Sequence, residues 1–262
     1  MKRVVAITGA SAGIGRATAL RLARDGASIA LCARRQDRLS EVADEIVRAG
    51  GTSLAIVADV TNPADMQALV DRTVAEWGQL DVMICNAGFG MYGEIDRVTP
   101  EQMHRVMDVN YMGTFHAARA ALPVFRRQQR GHVIIVSSIV GKRGVPYMSA
   151  YSATKFAQVG LAECLRAELV GTGMHLSVVY PVSTETEFFE VMTKHSGPVT
   201  RALGPRQSPE KVADAIARTI ERPAPEVYPF RKARALSLLA AIAPGLCDRI
   251  VRRWGRRPAV EG

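Results

Sequence analysis

The sequence predicts a doubly wound α/β fold, a parallel sheet covered by helices on both faces. Two observations carry that prediction. Short apolar or β-branched runs alternate with longer stretches of helical period from residue 4 to about residue 180. Those runs are apolar almost throughout, as strands buried on both sides must be. Strands are expected at Val4–Thr8, Ser28–Cys32, Ser53–Val57, Val82–Cys85, His132–Ser137 and His175–Tyr180, with Pro223–Phe230 as a seventh, edge strand. Helices are expected at Ile14–Asp25, Asp37–Ala49, Pro63–Trp77, Glu101–Arg126, Tyr151–Val170 and Pro209–Glu221, several opened by Asp, Asn, Thr or Ser followed by Pro or Glu. Asp37 reads as the N-cap of its helix. From Pro181 to Ser208 the pattern dissolves into Ser, Thr, Gly and Pro around Phe188, Phe189, Val191 and Met192, which reads as a mobile flap over a site, at about 182–208.

Composition bounds the function. The chain has 262 residues, 48% of them hydrophobic and 23% charged, which suits one globular domain and excludes a disordered or fibrous chain. The formal net charge is +9. Eight basic residues, Arg231, Lys232, Arg234, Arg249, Arg252, Arg253, Arg256 and Arg257, stand against Asp248 and Glu261 in the last 32 residues, leaving the rest nearly neutral. Such a body lacks the charge that a nucleic-acid backbone requires. The organisation is therefore a main domain over residues 1–230 and a basic extension over 231–262. Cys32, Cys85, Cys164 and Cys247 are far apart, without the spacing of a disulfide framework or a zinc site, so no metal is expected. The opening residues carry too short an apolar run for a signal peptide, and the chain reads as cytoplasmic.

The first β-to-α junction reads T-G-A-S-A-G-I-G, Thr8 to Gly15. Residues without Cβ let backbone amides approach a pyrophosphate and let the next helix present its N-terminus to it. Gly9, Ser11, Gly13, Ile14 and Gly15 are the candidates, though the glycine spacing departs from G-x-G-x-x-G. At the end of the second strand, where an acid would meet the ribose of NAD, stand Ala33, Arg34 and Arg35. Guanidinium groups there suit a 2′-phosphate, so NADP(H) is the expected cofactor. One of the two arginines is expected to be a solvated charge. Asp59-Val60 ends the third strand and Asn86-Ala87-Gly88 the fourth, where side chains face the ligand crevice; an Asx turn is the alternative at each.

Tyr151 and Lys155 are i, i+4 on one helix face. A phenol exchanges a proton near neutral pH only beside a cation, which Lys155 supplies. Hydride transfer to a carbonyl needs a proton donor at the developing alkoxide and a second donor to hold the oxygen, and Ser138 at the end of the fifth strand can be that second group. Together, T-G-A-S-A-G-I-G, N-A-G, Asn110 in D-V-N, Ser138 and Y-S-A-T-K, in this order, resemble the short-chain dehydrogenase/reductase family over residues 3 to 221. The resemblance implies a Rossmann fold and a tetrad of Asn110, Ser138, Tyr151 and Lys155. In it the tyrosine is the general acid/base, the serine positions the substrate oxygen, the lysine tunes the tyrosine and binds the nicotinamide ribose, and the asparagine organises a water relay to the lysine. It further implies Pro181 and Thr186 as cofactor contacts, with Val182 standing where the family commonly has glycine. A homodimer or homotetramer built on the long helices starting near Glu101 and Tyr151 is implied as well.

Phe89, Met91, Tyr92, Val140, Tyr147, Met148, Phe188 and Phe189 are placed around the substrate, which suits a hydrophobic ketone, aldehyde or secondary alcohol. Arg143 and His195 are candidates for a single polar contact. A 3-oxoacyl thioester of lipid synthesis is the alternative substrate, with Arg126, Arg127 and Arg130 to meet an acidic carrier protein, and a non-catalytic dinucleotide sensor is the alternative from another class. The segment Ala235 to Cys247 has thirteen uncharged residues, interrupted by Pro244-Gly245 and too few to span a membrane. It is expected to lie on a membrane surface, to cover the channel to the active site, or to pack on its own domain or a partner.

Overall fold

The computed structural model describes residues 3–196 and 206–252. Seven strands form one parallel sheet: β1 (Val4–Thr8), β2 (Ser28–Ala33), β3 (Thr52–Val57), β4 (Val82–Cys85), β5 (Gly131–Val136), β6 (Met174–Val179) and, after two short strands of the flap, β9 (Glu226–Val227). Their order in the sheet is β3-β2-β1-β4-β5-β6-β9, reversing direction of growth between β1 and β4. That is the doubly wound arrangement expected from the sequence, and the reversal opens a crevice at the carboxyl ends of β1 and β4. The edge strand expected within Pro223–Phe230 is real but short, pairing Val178 with Glu226 and Val179 with Val227.

Alternate side chains along each strand enter two separate cores. Val4 and Ala6 of β1 join Met83 and Cys85 of β4 on one face, under α3 (Pro63–Trp77), α5 (Gly113–Gln128) and α6 (Ser149–Glu168). Val5 and Ile7, with Val82 and Ile84, face the other side, under α1 (Gly13–Arg24), α2 (Gln36–Arg48) and α8 (Pro209–Glu221). Both faces being apolar explains why the strands show no polar alternation in the sequence.

Three local features differ from the expectation. The helix expected over Glu101–Arg126 is two helices, α4 (Pro100–Met107) and α5, joined by a π-helical turn at Asp108–Met112. Asp37 does not cap α2; Arg35 is the N-cap residue, and Asp37 lies in the first turn, where its charge still complements the helix dipole. The flap carries its own structure, with β7 (Ser183–Thr184) paired to β8 (Arg206–Gln207) and a helix α7 (Phe188–Ser196) between them; residues 197–205 of the expected flap lie outside the described residues. The basic extension folds into α9 (Ala233–Ile242) and α10 (Pro244–Val251), divided where Pro244 begins the second helix. Its last ten residues, 253–262, also lie outside the described residues. No helix among the described residues is long and apolar enough to cross a membrane.

Candidate active site

The glycine-rich turn sits at the crevice. Gly9 has φ +66° and Gly13 φ +53°, both in the left-handed region, and a Cβ on Gly9 would stand 2.8 Å from the Ala87 Cα. A Cβ on Gly15 would stand 2.2 Å from the Gly9 carbonyl oxygen and 2.6 Å from Asn86 Nδ2. The residue before α1, Ala12, makes no side-chain cap, so the first amides of the helix are left for an external acceptor. Asn86 closes the turn from β4, donating from Nδ2 to the carbonyls of Thr8 (3.0 Å) and Gly9 (3.2 Å). The resulting cleft of about 350 Å³ is lined by Gly9, Ser11, Gly13, Ile14, Arg34, Arg35, Asp59, Val60, Asn86, Ala87, Gly88, Tyr151, Lys155 and Thr186. Gly15 lies just beneath it.

The arginines of the second strand end lie at one side of this cleft. Arg34 is 3.7 Å from Asp59, and Arg35 reaches Glu187 at 3.1 Å and Ser11 Oγ at 3.5 Å. Arg38, which the sequence reading passed over, also faces Glu187, at 3.8 Å. Partial burial pushes the Asp59 carboxyl up, but the Thr61 N–H and hydroxyl, with Arg34, more than offset this and hold it below the ordinary carboxylate value. Asp59 thus makes the turn expected as the alternative role while also facing the cleft.

Tyr151 and Lys155 line the cleft, Ser138 lines the cavity that adjoins it beside Tyr151, and Asn110 is buried behind them. The π-helical turn places Asn110 wholly inside the protein. Its side chain clamps the backbone of Phe89, accepting from the amide at 3.0 Å and donating to the carbonyl at 3.0 Å, and donates also to Thr154 Oγ1 at 3.0 Å. Its own carbonyl accepts from Gln158 Nε2 at 2.7 Å and Thr114 Oγ1 at 2.8 Å. Lys155 Nζ lies 5.6 Å from the centre of the Tyr151 ring and donates to the carbonyl of Val136 (3.1 Å) and to Gln158 Oε1 (3.1 Å). Burial draws the Lys155 ammonium down to about 7. Burial also pushes the Tyr151 phenol up, against a hydrogen bond with Ser138 that lowers it. Each group on its own is thus driven toward its neutral form.

A second cavity, of about 490 Å³, meets the cleft at Ile14, Ser137, Tyr151, Thr186 and Phe188. Of the expected substrate residues, Val140, Met148, Phe188 and Phe189 line it, and so do Pro181 and Val182. Phe89 lines the cofactor cleft instead, while Met91, Tyr92 and Tyr147 pack in the apolar cluster behind. The flap ring Phe188 covers Tyr151, with ring centres 5.4 Å apart. The outer wall comes from Leu236 and Leu239, in the segment for which covering the channel was one of the expected readings, and from Phe230, Ala233 and Val251, which the sequence did not assign to the site. Arg143 lines the same cavity and is ion-paired to Asp248, tying α10 to the loop after β5. The side chain of His195 lies outside the described residues.

Comparison with known proteins agrees with this geometry. The model of the short chain dehydrogenase family matches residues 3–197. The ketoacyl reductase HetN of Nostoc sp. is 31% identical over 259 residues, covering 97% of this chain and 89% of that protein. A 3-ketoacyl-ACP reductase from Sinorhizobium meliloti superposes with a TM-score of 0.76 at 33% identity, over 86% of this chain and 96% of the other. An alcohol dehydrogenase from the archaeon Thermococcus sibiricus, complexed with 5-hydroxy-NADP, gives 0.77 at 27% identity, over 87% of this chain and 96% of the other. The glycine cradle, the buried Tyr151–Lys155 pair and these likenesses converge: the chain belongs to the short-chain dehydrogenase family of oxidoreductases.

Proposed function

We propose that the protein is an NADP(H)-dependent oxidoreductase that interconverts a hydrophobic carbonyl compound and its secondary alcohol, with Tyr151 as general acid/base. One observation carries the reading: Tyr151 stands where a glycine-cradled cleft meets an apolar cavity of about 490 Å³. The cradle fits a dinucleotide, since its turn closes this tightly only with glycine at positions 9 and 15, where a Cβ would strike Ala87 and the Gly9 carbonyl, and it leaves the first amides of α1 for an anion. Gly9, Ser11, Gly13, Ile14 and Gly15 would hold the pyrophosphate, Asp59 and Val60 the adenine end, Asn86 to Gly88 the middle, and Pro181 and Thr186 the nicotinamide end. The nicotinamide, when bound, supplies or accepts the hydride.

The chain's own groups handle the proton. In the reducing direction Tyr151 gives its hydroxyl proton to the developing alkoxide while Ser138 donates a hydrogen bond to the same oxygen. The phenolate left behind is stabilised by the Lys155 ammonium in a site from which Phe188 and α9 exclude water. NADP(H) is favoured over NAD(H) because Arg34, Arg35 and Arg38 present three guanidinium groups at the ribose end and their carboxylate partners are held only by half-exposed ion pairs. A 2′-phosphate can take those partners' place.

Two assembly readings follow from exposed apolar side chains. Phe115 on α5 and Phe156 on α6 are exposed, which supports a homodimer or homotetramer through these two helices. Leu238, Ile242 and Leu246 are exposed on α9 and α10 beside Arg234 and Arg249, which suits an anionic membrane surface. A 3-oxoacyl thioester remains the second substrate reading, favoured by the likeness to two ketoacyl reductases.

The test is nicotinamide absorbance with NADPH and NADH in parallel, against ketones, aldehydes and 3-oxoacyl thioesters. NADPH is expected to be preferred by about tenfold or more, the preference to fall in Arg34→Ala and Arg35→Ala, and turnover to be lost in Tyr151→Phe. Full turnover by Tyr151→Phe would refute the role of Tyr151. Tight cofactor binding with no turnover of any substrate would favour a dinucleotide sensor.

A further inference from the structure

Lys155 has three N–H donors, and two of them are fixed inside the protein. One goes to the Val136 carbonyl at the end of β5 and one to Gln158 Oε1. The third is left for the cleft, which Lys155 lines. Gln158 is itself held at its other end. Its Nε2 donates to the Asn110 carbonyl at 2.7 Å and to Thr114 Oγ1 at 2.8 Å, and the side chain has no solvent exposure. Thr114 Oγ1 in turn donates to the Asn110 carbonyl, so both lone pairs of that oxygen are taken by protein donors. The link between Asn110 and Lys155 therefore runs through a glutamine side chain.

We propose that Gln158 is a positioning residue of the active site: its amide bridges the Asn110 carbonyl to the Lys155 ammonium, fixing the ammonium so that its remaining N–H faces the cleft. The inference rests on the reading of Tyr151 and Lys155 as the acid/base pair. A buried amide joined at both ends has a single arrangement, because exchanging its N and O would set Nε2 against the ammonium and Oε1 against a carbonyl. An acceptor on the ammonium favours its charged form, and that charge is what stabilises the Tyr151 phenolate. The groups that surround Lys155 are Tyr151, Ser137 and Thr154 together with Asn110, Thr114 and the β5 carbonyl. Among the described residues none of these except Tyr151 titrates, and no carboxylate acts on the ammonium. Gln158 Oε1 is thus one of only two protein acceptors fixed on it among the described residues.

The experiment reads the lysine directly. The chain has six lysines, so the full-length protein labelled at lysine Cε gives few NMR signals, and Lys155→Arg assigns the one of interest. Gln158→Met keeps the shape of the side chain and removes both polar ends. It is expected to lower the Lys155 titration midpoint by about one pH unit, with and without NADP⁺, and to move the pH profile of alcohol oxidation upward by a similar amount. Thr114→Val removes one anchor of the amide and is expected to move the midpoint in the same direction by less. It also serves if Gln158→Met does not fold. A midpoint unchanged in the folded variants, with only a lower melting temperature, would overturn the proposal and leave Gln158 a structural residue. The midpoint needs no turnover, so it decides the role of Gln158 even if the substrate panel shows the acid/base reading to be wrong.

Discussion

Acid should unfold this protein sooner than its carboxylates alone require, because of one histidine in the sheet. His132 is the second residue of β5, which lies between β4 and β6 in the sheet, and is 5% exposed. Its Nε2 lies 2.8 Å from Ser177 Oγ, and the ring of His175 is 5.9 Å away. Burial, helped by the positive fields of His175 and Arg3, brings its titration from 6.5 down to about 3. The group is a base whose folded value is depressed, so between those two values the unfolded chain binds a proton that the folded one refuses. Stability is then lost as pH falls below 6.5 and the loss is complete near 3. At 1.36 kcal/mol for each unit the full loss is about 5 kcal/mol, of which about 2 kcal/mol falls between pH 6.5 and 4.5. The measurement is urea unfolding across that range at one protein concentration, for the parent chain and for His132→Gln, which keeps a partner for Ser177 without a titratable group. Carboxylates contribute alike to both, so the difference in slope belongs to His132. If the two stabilities fall in parallel to within about 0.5 kcal/mol, the burial argument for His132 is wrong.

Two further changes probe the cofactor cradle and the outer helices. In Gly15→Ala the new Cβ would stand 2.2 Å from the Gly9 oxygen and 2.6 Å from Asn86 Nδ2, so the turn must open. Overpacking of this kind costs about 1–3 kcal/mol, and NADPH affinity by fluorescence titration is expected to fall by about tenfold or more. Unchanged affinity and melting temperature would show that the turn is not the cradle. Leu238→Asp together with Ile242→Asp puts two charges on the outer face of α9 and leaves the cavity-lining Leu236 and Leu239 in place. Flotation with anionic vesicles should be lost in the double variant. Equal flotation of both proteins, or none by either, would refute the membrane reading.

The residues that line the glycine-cradled cleft were legible because the cleft is built locally. A strand end and the turn that leaves it are consecutive in sequence, and Gly9, Asp59 and Asn86 mark the ends of β1, β3 and β4. The parallel sheet was legible because burial on both faces leaves an unbroken apolar run. The π-helical turn at Asp108–Met112 was not, since one inserted residue barely disturbs the helical period while it rotates everything after it. Gln158 and Thr114 escaped for a related reason. Each is an isolated polar residue on an otherwise apolar helix face, and only the neighbouring helix shows that the two meet. The position three residues after Lys155 was the available signal, because it shares that residue's face. Asp37 was misplaced by two residues: the cap of α2 is Arg35, so Asp37 falls in the first turn.

The outer wall of the cavity was left open among several readings for a deeper reason, which also bears on specificity. A stretch such as Ala235 to Cys247 has the same composition whether it meets a lipid, a partner or its own domain, and only packing chooses among them. Here it places Leu236 and Leu239 on the cavity and leaves Leu238 and Ile242 outside. The family match ends at residue 197, whereas Phe230, Ala233, Leu236, Leu239 and Val251 form the outer wall. The groups proposed to handle the proton thus lie inside the shared core, and a large part of the cavity wall lies beyond it. If the proposed activity is right, hydride transfer is common to the family on that division, and the choice of carbonyl compound falls to two C-terminal helices held down through Arg143 and Asp248.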